Sequence, residues 1–110
     1  MYLLDEKEKR EMKELLTEKA ELFKAISHPV RLCILTILLR DGRSNVSDMQ
    51  CCIEVSQSTV SQHLSKLKAA GIITGVREGT EIYYSIQNEE IKQIIHLIIG
   101  QNKCNRRNES

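Results

Sequence analysis

The sequence has no tryptophan, one phenylalanine and one proline, and only 4% of its 110 residues are aromatic. A chain so poor in aromatic residues must build its core from aliphatic side chains, which favours a small, mostly helical domain. It contains no apolar run of membrane-spanning length, and its first residues do not resemble a signal peptide. We therefore expect a cytoplasmic protein with no membrane partner.

The chain also lacks a strong net charge, since 16 Lys and Arg against 15 Asp and Glu give +1. Proteins that bind nucleic acid through charge alone are usually more basic, so the total argues against such a function. The distribution is more informative. The segment 5–21 carries seven acids, whereas the segment 56–80 carries three bases and one acid. An anionic partner would bind the second segment.

The four cysteines, Cys33, Cys51, Cys52 and Cys104, have neither zinc-finger spacing nor the pattern of a small disulfide-rich protein. In the cytoplasm we expect them to be mostly reduced. Cys52 is predicted to fill the core, and Cys51 to face outward beside it. The sequence predicts no metal site and no cofactor.

The most informative stretch is 55–71, which is predicted to be one helix. Ser56 is a good N-cap, and Gly71 suits the left-handed conformation that often follows a helix. Apolar residues at helical spacing form a stripe that should face the core; they are Val60, Leu64, Leu67 and Ala70.

The outward face of this helix carries short or neutral hydrogen-bonding side chains, namely Gln57, Ser58, Thr59, Ser61, Gln62, His63 and Ser65. A surface helix without a binding role would normally use Glu, Lys and Arg. Short hydroxyls and amides can approach phosphates and base edges, and Lys66 could contact a phosphate. The pattern indicates a DNA recognition helix, although a Ser-rich solvated helix is the simpler alternative.

Three further helices are predicted before this one, over 5–26, 29–39 and 45–53. The first has an apolar stripe that could pack internally but that favours pairing with a second copy of the chain. The third is joined to the recognition helix by a short turn at 54–56, which makes a helix-turn-helix.

After Gly71 the pattern changes to β-branched and aromatic runs at 72–76 and 80–86, which predict a hairpin. In the second run Ile82, Tyr84 and Ile86 should pack on the helices, leaving the other face open. Arg77 near the tip could reach a phosphate or the minor groove, or could be an exposed Arg without a role.

A last helix is predicted over 89–99, capped by Asn88 and so rich in isoleucine that it should be buried on two sides. The fold class is therefore mainly α with a small hairpin, in the order α-α-α-α-β-β-α, and the dimer should form through the first and last helices. We expect one domain over 1–100 and a mobile polar tail over 101–110.

Specific motifs now point to a family. They are Ser-His-Pro-Val-Arg-Leu at 27–32, Ser-Gln-Ser-Thr-Val-Ser-Gln-His-Leu at 56–64, Ala-Gly-Ile-Ile at 70–73, and Arg-Glu-Gly at 77–79 followed by Tyr-Tyr-Ser-Ile at 83–86. Together they resemble the ArsR/SmtB family of winged-helix repressors. The resemblance implies a homodimer that binds double-stranded DNA at an inverted repeat and is released by a ligand. It also implies that the face from Gln57 to His63 enters the major groove and that Arg77 lies in the wing.

The resemblance does not identify the ligand that would release this protein from DNA. Where the family's thiolate sensors begin the third helix with Cys-x-Cys-Asp, this chain has Asn45 and Ser47 before Asp48, and its last helix also lacks the zinc-binding set. Some thiol-sensing members resemble this chain in pairing cysteines of the second and last helical elements, which makes Cys33 and Cys104 a possible thiol sensor. Thiol oxidation or persulfidation, a soft metal, and no inducer all remain open.

Two other function classes compete with a DNA-binding regulator. An enzyme is disfavoured because His28, His63 and His96 fall on three different elements, with no nucleophile triad or phosphate loop. A winged-helix module that binds proteins instead of DNA is the better alternative, favoured by the low net charge.

Overall fold

The computed structural model describes residues 3–100. Its elements are α1 (Glu6–Ile26), α2 (Pro29–Asp41), α3 (Val46–Gln50), α4 (Gln57–Ala69), β1 (Ile73–Glu78), β2 (Glu81–Ile86) and α5 (Glu89–Ile98). This order confirms the predicted one, and the arrangement is a winged helix-turn-helix. The predicted tail, including Cys104, lies outside the described residues.

Each helix begins at a side chain that accepts a backbone N–H of the first turn, which explains where the helices start. Asp5 caps α1 in a capping box with Glu8, and Asn45, Ser56 and Asn88 cap α3, α4 and α5. The cap of α2 was missed in the sequence. There His28 Nδ1 accepts the Val30 N–H at 3.0 Å, ahead of the proline in the first turn.

The core is aliphatic, as expected, and α2 lies at its centre, packed against α4, α5 and β2. The most deeply buried side chains come from every helix except α1 and from the start of β1; they are Ile34, Leu35, Leu38, Met49, Val60, Leu64, Leu67, Ile72, Ile73, Ile91 and Ile95.

α1 contributes none of these side chains; its one buried residue is Ile26, and Leu22 and Ala25 are partly buried against the core. Four larger apolar side chains of this helix are substantially exposed; they are Met12, Leu15, Leu16 and Phe23. Between residues 3 and 100, no single helix is long and apolar enough to cross a membrane, and only α1 and α2 together, across a 92° bend, match a span by length and composition.

The hairpin has antiparallel register from Ile73 opposite Ile86 to Glu78 opposite Glu81, so that its turn is only two residues long. Gly79 in this turn has a φ of +67°, which favours glycine. All six residues of β2 are half-buried. The open face that we predicted for this strand is therefore wrong, and on that face the guanidinium of Arg43 lies over the ring of Tyr83.

The helix-turn-helix differs from its prediction in two ways. α2 continues two residues further, to Asp41, and α3 ends at Gln50 instead of 53. The chain then turns tightly, with the N–H groups of Cys52 and Ile53 both donating to the Met49 carbonyl. This turn buries Ile53 and leaves Cys52 exposed, so the prediction that Cys52 fills the core is wrong.

Candidate nucleic-acid interface

The start of α4 is a cluster of hydroxyl groups around its cap. Ser56 Oγ accepts the Thr59 N–H at 3.1 Å and lies 2.8 Å from Thr59 Oγ1 and 3.1 Å from Ser58 Oγ. These hydroxyls sit at the positive end of the dipole of a 13-residue helix. The arrangement suits an anion such as a phosphate.

One side of α4 is buried and the other forms a continuous polar strip. Val60, Leu64 and Leu67 pack into the core, whereas Ala70, which was placed on the same stripe, is exposed at the end of the helix. The strip, called the recognition strip below, consists of the exposed residues Gln57, Ser58, Ser61, Gln62, Ser65, Lys66 and Lys68. Thr59 is half-buried at its edge.

His63 is placed differently from the recognition strip. It is half-buried, and its Nδ1 accepts a hydrogen bond from Arg31 Nε of α2 at 3.1 Å. Its ring lies 4.4 Å from the ring of His28, measured between centroids. Burial, followed by the neighbouring His28 and Arg31, lowers the pKa of His63 below its ordinary value. His63 is therefore turned toward α2, and its lowered pKa favours the neutral ring that can accept the hydrogen bond from Arg31.

The wing carries an exposed arginine next to a glutamate whose negative charge is paired with another arginine. Arg77 is exposed, and its side chain makes no hydrogen bond or ion pair with the rest of 3–100. Its neighbour Glu78 accepts two bonds from Arg43, at 2.7 and 3.0 Å, and the guanidinium of Arg43 stacks 4.1 Å from the ring centroid of Tyr83. The hydrogen bonds from Arg43 lower the pKa of Glu78.

The role of Arg43 was missed in the sequence, because its partners lie 35 and 40 residues further along the chain. Arg43 ties the wing to the loop between α2 and α3, and it compensates the acid that would otherwise repel a phosphate near Arg77. The wing tip therefore remains suitable for an anionic partner.

The cysteines do not form a metal site in the described part of the chain. Cys33 is half-buried, and burial, with a smaller effect of Cys52, raises its pKa. No three His, Cys, Asp or Glu side chains between residues 3 and 100 lie close enough together to hold a metal ion. Asn45, at the position of a thiolate ligand, is buried and its amide oxygen caps α3 by accepting the Asp48 N–H at 2.8 Å. These residues do not fit the metal site of the family's thiolate sensors.

Comparison with known proteins agrees with this geometry. Residues 28–74 match the family described as "Bacterial regulatory protein, arsR family". The transcriptional repressor PagR of Bacillus anthracis is 41% identical over 83 residues, covering 76% of this chain and 83% of PagR. A cadmium resistance regulatory protein, the CadC homolog of Staphylococcus aureus, is 36% identical over 98 residues, covering 86% of this chain and 81% of that protein.

Solved structures show the same fold. The crystal structure of PagR matches with a TM-score of 0.72 at 40% identity, over 78% of this chain and 98% of that chain. The homodimeric winged helix-turn-helix domain of Mb0332 from Mycobacterium bovis matches with a TM-score of 0.71 at 28% identity, over 89% and 86% of the two chains. The chain therefore belongs to the arsR family of bacterial regulatory proteins and is a DNA-binding transcriptional repressor of the winged helix-turn-helix type.

Proposed function

We propose that the protein acts in the cytoplasm as a homodimer that represses transcription from an inverted-repeat operator. The two α4 helices would enter successive major grooves about 34 Å apart. The observation that carries this proposal is the recognition strip, an exposed helix face of neutral hydrogen-bonding groups followed by two lysines. The residues proposed to contact DNA are Gln57, Ser58, Thr59, Ser61, Gln62, Lys66 and Arg77; His63, predicted with them, is bonded to Arg31 of α2 and is proposed to act through that contact.

We propose further that the dimer forms through α1 and α5. α1 exposes the apolar residues named above, and on α5 Leu97 and Ile98 are 80% and 53% exposed. An apolar surface of this kind is usually covered by a partner. Lys19 of α1 pairs with Glu90 of α5, so the two helices lie next to each other at this surface. The homodimeric state of the Mb0332 domain supports a homodimer but does not identify the helices that form it.

Alanine substitutions at two positions of the recognition strip should change DNA binding in different ways. Lys66→Ala should weaken binding to specific and random DNA alike and reduce the salt dependence of the binding constant by about one phosphate contact. Gln62→Ala should reduce affinity for the selected sequence by about 1–3 kcal/mol while leaving random DNA nearly unaffected, because an amide reads base edges. Fluorescence anisotropy over a range of salt concentrations measures both.

The reference DNA for these titrations is selected from a pool of random duplexes with the unmodified protein. The gene's own upstream region is then titrated in the same way. Equal losses for both variants on selected and random DNA would contradict the base-reading role of Gln62. No retention on heparin and no selection of any duplex would favour a winged-helix module that binds proteins instead of DNA, which is the alternative function.

We propose that the release signal is oxidation or persulfidation of a thiol pair formed by Cys33 and Cys104. In the oxidation, the two thiols give two protons and two electrons to an added disulfide reagent, whose S–S bond breaks to release two thiols as the new S–S bond forms. In persulfidation, a thiolate attacks an S–S bond of an added polysulfide, and the rest of the sulfur chain leaves as the shorter polysulfide. Cys33 is half-buried with a raised pKa, so its reaction should be slow at neutral pH and faster as the pH rises. A soft metal bound by other cysteines and a repressor without an inducer are the alternatives.

The test compares operator binding before and after treatment of the reduced protein with the disulfide reagent, and separately with a polysulfide. We expect a large loss of affinity that dithiothreitol reverses and that Cys33→Ser or Cys104→Ser abolishes. Cys51→Ser is the matched control, because Cys51 is exposed but lies outside the proposed pair. If treatment has no effect on the unmodified protein, the thiol sensor is wrong.

A further inference from the structure

Three helices meet at one arginine. Arg31, in the first turn of α2, donates from Nη1 to the carbonyl of Ala25 in the last turn of α1, at 2.9 Å. The same side chain donates from Nε to Nδ1 of His63 in the middle of α4, at 3.1 Å. One guanidinium thus binds the helix with the exposed apolar face to the helix with the recognition strip.

We propose that Arg31 is a positioning residue that holds α4 at a fixed angle to α1, and thereby sets the half-site spacing that the dimer accepts. In the proposed dimer, α1 belongs to the interface and α4 to the DNA surface, so the distance between the two recognition helices depends on the angle between α1 and α4 within each protomer. This role of Arg31 rests on the proposed function, because half-site spacing matters only if the dimer binds an inverted repeat.

A groove beside Arg31 makes its hydrogen bonds important for the angle between α1 and α4. An open groove of about 800 Å³ lies beside α1, α4 and the start of α5. Leu22, Ala25 and Ile26 of α1 pack on the core, and where the groove opens solvent lies beside the helices, so polar contacts contribute to fixing their angle. Arg31 lies on its lining, together with Lys66 of α4 and with Glu18, Glu21 and Lys24 of α1. The hydrogen bond from Arg31 to the Ala25 carbonyl joins two residues of this lining.

The hydrogen bond from Arg31 to His63 also requires a defined protonation state of the imidazole ring. Arg31 is always charged and can only donate, so Nδ1 of His63 must be without a proton. His28, in ring contact with His63, likewise accepts through Nδ1, from the Val30 N–H. Protonation of His63 would remove the acceptor of Arg31 and place a second cation next to it. The arrangement is therefore complete only while His63 is neutral.

The spacing experiment uses duplexes that carry the inverted repeat selected by the unmodified protein, with the central spacer kept, shortened or lengthened by one base pair. We expect the unmodified protein to lose affinity for both altered spacers by about tenfold or more, comparable to a mismatched base pair. Arg31→Gln should bind the three duplexes within about threefold of one another. The matched control is Arg10→Gln, an exposed position of α1 without a described partner.

A second pair of variants covers the case in which Arg31→Gln does not fold. His63→Ala removes the acceptor and should lose the spacing preference, whereas His63→Asn places an amide oxygen near Nδ1 and should keep it. Because the folded state lowers the pKa of His63, the hydrogen bond from Arg31 is fully formed above the ordinary value of 6.5 and is lost as the pH falls through the lowered pKa. The spacing preference of the unmodified protein should weaken over that range, and that of His63→Asn should weaken less.

The outcomes separate this inference from the proposed function. If the unmodified protein selects no DNA, both are wrong. If it selects an inverted repeat but the folded Arg31→Gln or His63→Ala protein keeps the full preference for one spacing, DNA binding stands and the positioning role of Arg31 is wrong.

Discussion

Leu16→Glu should give a folded monomer that binds the operator at least about 100-fold more weakly than the unmodified protein. Leu16 is 58% exposed in the single chain, so its replacement removes little from the protomer core. Glu is also a good helix former, and α1 should persist. In the dimer, however, the new carboxylate would be buried against apolar side chains of the partner, which is costly without a counter-charge.

The loss of DNA affinity follows from valency. A dimer binds its second half-site as an intramolecular step, which is worth about 10²–10⁴ in affinity, and a monomer loses that advantage. Sedimentation velocity measures the assembly, and anisotropy measures the affinity. Leu97→Glu on α5 should have the same effect, because Leu97 is 80% exposed.

The control for charge is Arg10→Glu, an exposed α1 position away from the apolar residues, which makes α1 more acidic without placing an acid on the proposed interface. We expect this variant to remain a dimer. A dimeric Leu16→Glu protein with unchanged operator affinity would show that α1 packs elsewhere and that another surface joins the two chains.

Leu64→Ala should lower the free energy of unfolding by about 2–5 kcal/mol. Leu64 is 1% exposed and anchors the centre of α4 to the core, so its truncation leaves a cavity beneath the recognition strip. Denaturant unfolding followed by circular dichroism measures the loss, at one fixed protein concentration because the stability of a dimer depends on concentration.

Ser65→Ala is the matched control, since Ser65 is the next residue on the same helix and is exposed. It should change the free energy of unfolding by no more than about 0.5 kcal/mol. Similar losses at the two positions would mean that the buried face of α4 has been assigned incorrectly.

Local patterns determined the order of the elements and most of their limits. The caps Ser56 and Asn88, the proline that begins α2 and the glycine at Gly71 act within a few residues of themselves, and each was found in the sequence and confirmed in the structure. The periodicity of α4 likewise separated its buried face from its polar one, because helical geometry alone places these side chains on opposite sides.

Tertiary structure alone decided which side chains meet across elements. The sequence grouped His63 with its polar neighbours, but packing turns it toward Arg31 and His28 of another helix. A six-residue connection after α3 exposed Cys52, although helical spacing predicted that it was buried. The pairing of Arg43 with Glu78 depends on how the wing folds back on the loop before α3. Sequence periodicity describes one helix or strand at a time, whereas these contacts depend on the angles at which separate elements pack.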